Sequence, residues 1–111
     1  MSSNKRRFER YDTPTGMFNI SMNKRDWYEI GLEDVSAGGM KFTSPATFDV
    51  EDTIYAQLVI RNKIKDNILQ CDGVIRRKAD MGQGVNSYAV EFSNITAKQL
   101  TSLSEIMAFI R

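Results

Sequence analysis

Two groups of side chains in this chain have the types and spacing to hold an anionic, hydrogen-bonding ligand. The first lies in the opening stretch MSSNKRRFERY, where Arg6 and Arg10 follow the form R-x-x-x-R. On an extended segment they share a face with their Cα atoms about 13 Å apart. On a helical turn they share a face about 6 Å apart. Arg7 points elsewhere if the segment is extended. Guanidinium forks bind phosphate bidentately and match the O6 and N7 acceptors of guanine. The second group lies in EDVSAGGMKF, where Asp34, Ser36 and Gly39 fit [DN]-x-S-x-x-G. As a plain turn, its Asp and Ser bond their own backbone, and Gly38 or Gly39 takes a positive φ. As a ligand notch, Asp34 and Ser36 point to one face of an extended segment and offer an acceptor and a hydroxyl. A glycine there lets a flat or phosphorylated ligand approach the backbone. Two converging arginines with a carboxylate and a hydroxyl suit a ligand that combines phosphate with guanine.

Charge is concentrated where the first group sits. Residues 1–10 carry Lys5, Arg6, Arg7 and Arg10 against Glu9, while the whole chain has a formal net charge of only +1. A local cationic cluster on a balanced chain indicates an anionic partner or a solvated terminus. The 111 residues fit one domain, 41% hydrophobic and 26% charged. No apolar run approaches the roughly 20 residues that span a bilayer, and no apolar segment follows the basic start as in a secretory signal. The lone Cys71 excludes an internal disulfide and fits a reducing compartment, so a cytoplasmic location is expected. There is no histidine, which removes the commonest general base and most catalytic zinc sites. The acid pairs Glu33–Asp34 and Glu51–Asp52 read as turn and surface residues, since neighbours on a strand point to opposite faces. No phosphate-binding glycine loop is present. The chain is therefore not expected to be an enzyme.

The elements that must position these groups are mostly strands. In GMFNISM, Phe18, Ile20 and Met22 alternate with polar residues; a turn at Asn23–Asp26 follows; WYEIGL then places Tyr28, Ile30 and Leu32 on one face. These two runs predict a hairpin. Residues 39–43 are read as a short strand, 44–52 as a loop broken from any strand by Pro45, and 53–60 as a strand with Ile54, Ala56, Leu58 and Ile60 on one side. RNKIKDN is a hairpin tip, and 68–78 return with Leu69, Cys71 and Ile75 together, the thiol buried. A glycine-rich turn, MGQGVN, leads to YAVEF, with Tyr88, Val90 and Phe92 inward. The expected fold is all-β: a six-stranded antiparallel β-barrel with a flexible N-terminal arm over 1–12 and the barrel over 13–111. A C-terminal α-helix spans Ala97–Ile110: Thr96 and Gln99 have capping-box spacing, Ile95 and Leu100 staple spacing, and Leu100, Leu103, Met107 and Ile110 form its apolar stripe.

RRFER followed, after 23 intervening residues, by DVSAGG resembles the PilZ domain, and GMKF, CDGVIRR and YAVEF are similar to the family pattern in the same order. The resemblance covers nearly the whole chain. It implies a six-stranded β-barrel that receives the bacterial second messenger cyclic di-GMP. Arg6 and Arg10 would grip the phosphates and guanine edges. Asp34 and Ser36 would bond the guanine, Gly39 would keep the strand start clear of the ligand, and Gly38 would assist the turn. Arg7 lies within the motif. Lys5 precedes it, at the place that influences whether one nucleotide or a stacked pair binds, and a cation there favours two. The arm would fold over the ligand and present a changed surface to a protein partner, from a monomer or weak homodimer with no metal and no membrane insertion.

Two other readings of the residues remain. One is a small barrel that binds single-stranded nucleic acid through the basic arm and the aromatics Trp27 and Tyr55. The other is a protein-interaction barrel that no longer uses nucleotide.

Overall fold

The computed structural model describes residues 15–61 and 66–110. Among the described residues seven strands follow one another: β1 (Thr15–Ser21), β2 (Trp27–Glu29), β3 (Gly31–Val35), β4 (Gly39–Ser44), β5 (Thr53–Arg61), β6 (Asp66–Asp80) and β7 (Asn86–Ser93). One helix follows, α1 (Ala97–Ile110). All strands join one antiparallel sheet in the order β2-β1-β5-β6-β7-β4-β3.

The count is seven rather than the expected six because the strand predicted over 27–32 is divided. Its first half pairs with β1, Ser21 opposite Trp27, as the predicted hairpin requires. Its second half pairs with β4 at the opposite margin of the sheet. Ile30 alone separates the two, and its N–H still donates to the Phe18 carbonyl at 2.9 Å. A single intervening residue holds Glu29 and Gly31 within about 7 Å of each other. The two margins therefore approach each other, and the sheet must curl around its core. It does so without closing, since no ladder joins β2 to β3.

The period-2 faces meet inside this curl. Ile54, Ala56, Leu58 and Ile60 of β5, Leu69, Cys71 and Ile75 of β6, and Tyr88 and Val90 of β7 are buried in one cluster with Ile20, Ile30, Val35, Met40 and Phe42. Met22 falls beyond β1 and is exposed, and so is Tyr28, whose ring meets Phe48 edge-on at 5.6 Å. The turn at Asn23–Asp26 forms as predicted, the Asn23 Oδ1 accepting from the N–H groups of Arg25 and Asp26. The turn of MGQGVN uses positive φ at Gly82, Gln83 and Gly84.

α1 packs against β6, β3 and β5. Its capping box is complete: the Gln99 side chain accepts from the Thr96 N–H at 2.7 Å, and the Thr96 hydroxyl accepts from the Gln99 N–H at 3.2 Å. Such a cap contributes about 1 kcal/mol. The apolar face differs from the expected stripe. Ile106, not counted in it, is fully buried beside Leu103, whereas Leu100 remains 40% exposed. The helix buries its middle turns, while its first turn is held to β6 by the Gln99 Nε2, which donates to the Gln70 carbonyl at 2.7 Å.

Cys71 is buried on the inner face of β6, and burial, aided by the Asp72 charge, pushes its thiol from 9.0 up to about 12. The unfolded chain therefore releases this proton first as the pH rises. Stability is unaffected by this group below the unfolded value near 9 and falls between about 9 and about 12. The expected slope is about 1.4 kcal/mol per pH unit. Urea unfolding between pH 8 and 10.5 should show this decline in the wild type and a flatter profile in Cys71→Ala; identical profiles would exclude it.

Candidate functional site

The second predicted motif sits at the tip of the β3–β4 hairpin, which turns through a two-residue loop, Ala37–Gly38. Ser36 N–H donates to the Gly39 carbonyl at 2.8 Å, and Gly39 N–H to the Ser36 carbonyl at 3.3 Å. The Gly38 carbonyl accepts from Phe92 N–H at 2.9 Å, which ties the loop to β7. Neither Gly38 nor Gly39 adopts the positive φ expected of the turn. Gly39 is required for another reason. A Cβ there would stand 1.9 Å from the Val90 carbonyl oxygen of the neighbouring strand β7, whereas a Cβ at Gly38 would meet nothing within 4 Å.

Asp34 and Ser36 both face outward, with buried Val35 between them, as their spacing predicts. The Asp34 Oδ1 accepts from the Val35 N–H at 2.9 Å. Together with Gly38 and Gly39 they line one cleft of about 360 Å³ on the outer wall of the sheet. Lys41, Arg76, Arg77, Ala89 and Glu91 complete its walls. Register explains the gathering. Asp34 stands opposite Lys41, Lys41 opposite Ala89, and Ala89 opposite Arg77, so one outward row crosses β3, β4, β7 and β6.

Two β-bulges adjust this surface. In β6 the register slips between Ile75 and Arg77, and Arg76 is the extra residue. Consecutive strand residues otherwise face opposite sides, and a bulge re-aims them. Here it brings both Arg76 and Arg77 to the cleft. In β3 the slip lies between Leu32 and Asp34, with Glu33 extra. Glu33 and Asp34, expected on opposite faces, are consequently both exposed along the outer wall.

The two arginines are electrostatically different. Arg76 is held by two carboxylates: Nη1 lies 2.8 Å from Glu51 Oε2, and Nη2 2.9 Å from Glu91 Oε1. The hydrogen bond it donates to Glu91 and the charge of Glu51 raise its pKa. Glu51 reaches it from the 45–52 loop, where its own φ is 79°. That loop is fastened to β6 by Glu51 N–H to the Ile75 carbonyl at 2.7 Å and Ile75 N–H to the Asp52 carbonyl at 3.0 Å. Arg77 and Lys41 make no hydrogen bond or ion pair among the described residues and present free cations to the cleft.

The structure thus brings together Asp34, Ser36, Gly38 and Gly39 of the predicted site. Lys5, Arg6, Arg7 and Arg10 lie outside the described residues, as does the whole 1–12 arm. Arg76, Arg77 and Lys41 are additions that residue spacing did not single out. The pair of arginines in CDGVIRR is visible in sequence, but only the bulge aims both at the cleft. Trp27 and Tyr55 line a separate cleft of about 350 Å³ with Lys24, whose Nζ sits 4.5 Å from the Tyr55 ring centre. Among the described residues, no group of three or more His, Cys, Asp or Glu is placed to hold a metal, and no helix is long and apolar enough to cross a membrane.

A curled antiparallel sheet, a terminal helix against it and a polar, partly cationic cleft at an outer hairpin define a small β-domain. The chain belongs to the PilZ domain family, whose model matches residues 4–109. PilZ domains are binding and adaptor domains and generally receptors for cyclic di-GMP. The solved structure of the inhibitor of motility MotI/DgrA from Bacillus subtilis is similar, with a TM-score of 0.67 and 16% sequence identity. The similarity covers 86% of this chain and 48% of the other, so this chain spans about half the length of that protein. A search of curated proteins gave no match.

Proposed function

We propose that this chain is a cyclic di-GMP receptor that acts as a non-catalytic adaptor in the bacterial cytoplasm. The observation that carries this reading is the convergence of Asp34, Ser36, Gly38 and Gly39 on one cleft beside Arg77 and Lys41, cations with no ion pair among the described residues. Asp34 is suited to accept from the N1 and N2 donors of guanine, and Ser36 to bond the base or its phosphate. Arg6 and Arg10 would close over the ligand from the N-terminal side. Hydrogen bonds to charged groups contribute about 1.5–3 kcal/mol each. Four of them, set against the cost of ordering an arm at about 1–2 kcal/mol per residue, leave room for micromolar affinity. Ordering of the arm would itself create the surface that a partner reads. The structural neighbour is by name an inhibitor of motility, and an inhibitor needs a target, which accords with an adaptor role.

Calorimetric titration of the full chain with cyclic di-GMP tests the proposal. Saturable binding is expected, abolished by Arg6→Ala or Arg10→Ala, weakened at least tenfold by Asp34→Ala, and much less affected by Arg7→Ala. Equal losses at all three arginines would indicate a diffuse electrostatic patch instead. Absence of binding, or stronger and length-dependent affinity for single-stranded oligonucleotides, would overturn the proposal.

A further inference from the structure

The cleft at Asp34 and Ser36 does not end there. A second lobe of about 380 Å³ adjoins it, and the two share Lys41, Arg77 and Ala89. The continuation follows β7. The residues of β7 that form its floor are small, Ala89 and Ser87, while long side chains rise from the strands on either side. Lys41 of β4 and Arg77 of β6 stand directly opposite Ala89 across the two ladders, and Ala79 stands opposite Ser87. A trough results, with a low floor on one strand and cationic walls on its neighbours.

The dimensions suit a single anion. Neighbouring strands lie about 4.8 Å apart, so the Cα atoms of Lys41 and Arg77 are separated by roughly 10 Å across β7. Both side chains are long enough to lean inward over the Ala89 methyl and meet on one group. A larger residue at position 89 would fill that space. The charge is also one-sided. Lys41, Arg77 and Lys78 line the second lobe against one carboxylate, Glu33. None of the three cations forms an ion pair or hydrogen bond among the described residues. Arg76, by contrast, is already engaged by Glu51 and Glu91. Two adjacent arginines thus divide the labour: one holds the 45–52 loop, the other is left for a ligand.

We infer that the trough over Ala89 is an anion-binding extension of the cleft, in which Arg77 and Lys41 together take a phosphate or phosphodiester group. The lobe stands on its own geometry; only the expectation that a nucleotide supplies the group rests on the cyclic di-GMP reading. A free inorganic phosphate species has the same chemistry, so the test separates the two sources. The full-length chain, labelled with 15N, is titrated once with cyclic di-GMP and once with inorganic pyrophosphate.

If the nucleotide supplies the group, cyclic di-GMP shifts the amides of Arg77, Ser87 and Ala89 along with those of Asp34 and Ser36. The doubly substituted chain carrying Lys41→Ala and Arg77→Ala then loses the first three shifts and at least tenfold in affinity. If a free anion occupies the lobe, pyrophosphate alone shifts Arg77, Ser87 and Ala89, and Ala89→Glu abolishes that response while keeping both cations. Either result supports the inference. It is overturned if neither probe moves the Ser87 and Ala89 amides, or if the doubly substituted chain and Ala89→Glu respond as the wild type does. Cyclic di-GMP binding confined to Asp34 and Ser36 would reject the lobe and keep the receptor function. A response to pyrophosphate without any to cyclic di-GMP would do the reverse.

Discussion

Gly39→Ala is expected to destabilise the domain by about 3 kcal/mol, at the upper end for overpacking, while Gly38→Ala changes stability by less than about 0.5 kcal/mol. The two glycines are adjacent and belong to the same motif, yet their surroundings are opposite. The added methyl at Gly39 would lie 1.9 Å from a backbone oxygen and 3.0 Å from its carbon, both in β7. The β7 backbone here is paired with β4 on one side and β6 on the other, so it cannot step aside as a flexible side chain can. Relief therefore requires β4 and β7 to part at the Gly39–Glu91 pair. That parting also disturbs the loop held by the Gly38 carbonyl, and with it the cleft. Urea unfolding of both variants measures the difference. The expected pattern is a lower midpoint for Gly39→Ala with an unchanged slope, and a midpoint near wild type for Gly38→Ala. Equal stability of the two variants would refute the close approach. For the same reason, loss of ligand binding in a Gly39 variant reports on the ligand only after its fold has been verified.

Tyr88→Ala is expected to cost about 3–5 kcal/mol, and Tyr88→Phe about 1–3 kcal/mol. Tyr88 is fully buried on β7, its ring stacked on Phe42 at 5.1 Å and meeting Phe48 at 5.4 Å. Truncation to alanine leaves a cavity among these rings. The phenylalanine variant isolates the hydroxyl, which donates to the Ala46 carbonyl at 2.8 Å and accepts from the Phe48 N–H at 3.0 Å. Both partners belong to the loop that carries Glu51, the carboxylate that holds Arg76 beside the cleft. Removing the hydroxyl leaves the Phe48 N–H buried without its acceptor and frees the loop at its midpoint. Tyr88→Phe should thus lower the melting temperature by several degrees and shift the Glu51 and Arg76 resonances, although neither touches residue 88. Wild-type stability together with unmoved resonances would show that the loop is held by its apolar packing alone.

Much of this protein was legible in the order of its residues. Alternation in TIYAQLVI and in the stretch from Leu69 to Ile75 placed each side chain on its correct face, because a strand's side-chain period is local. The cap at Thr96 and Gln99 was equally local and formed as its spacing requires. Asp34 and Ser36 face the same cleft for that reason too. Tertiary structure decided what depends on distant strands. WYEIGL divides at Ile30 because one half is claimed by β1 and the other by β4, and no local pattern records which margin of a sheet a strand will complete. Leu100 stays out and Ile106 goes in because the tilt of α1 follows the surface it meets. The bulges at Glu33 and Arg76 arise from the registers of β3 with β4 and of β6 with β7. The bulge at Arg76 sets Arg77 opposite Ala89, and the register of β4 with β7 sets Lys41 there, from positions 36 residues apart in the chain. Periodicity is set by each residue's own backbone, whereas register is set by hydrogen bonds to partners far along the chain, and here the cleft owes the placement of Lys41 and Arg77 to register.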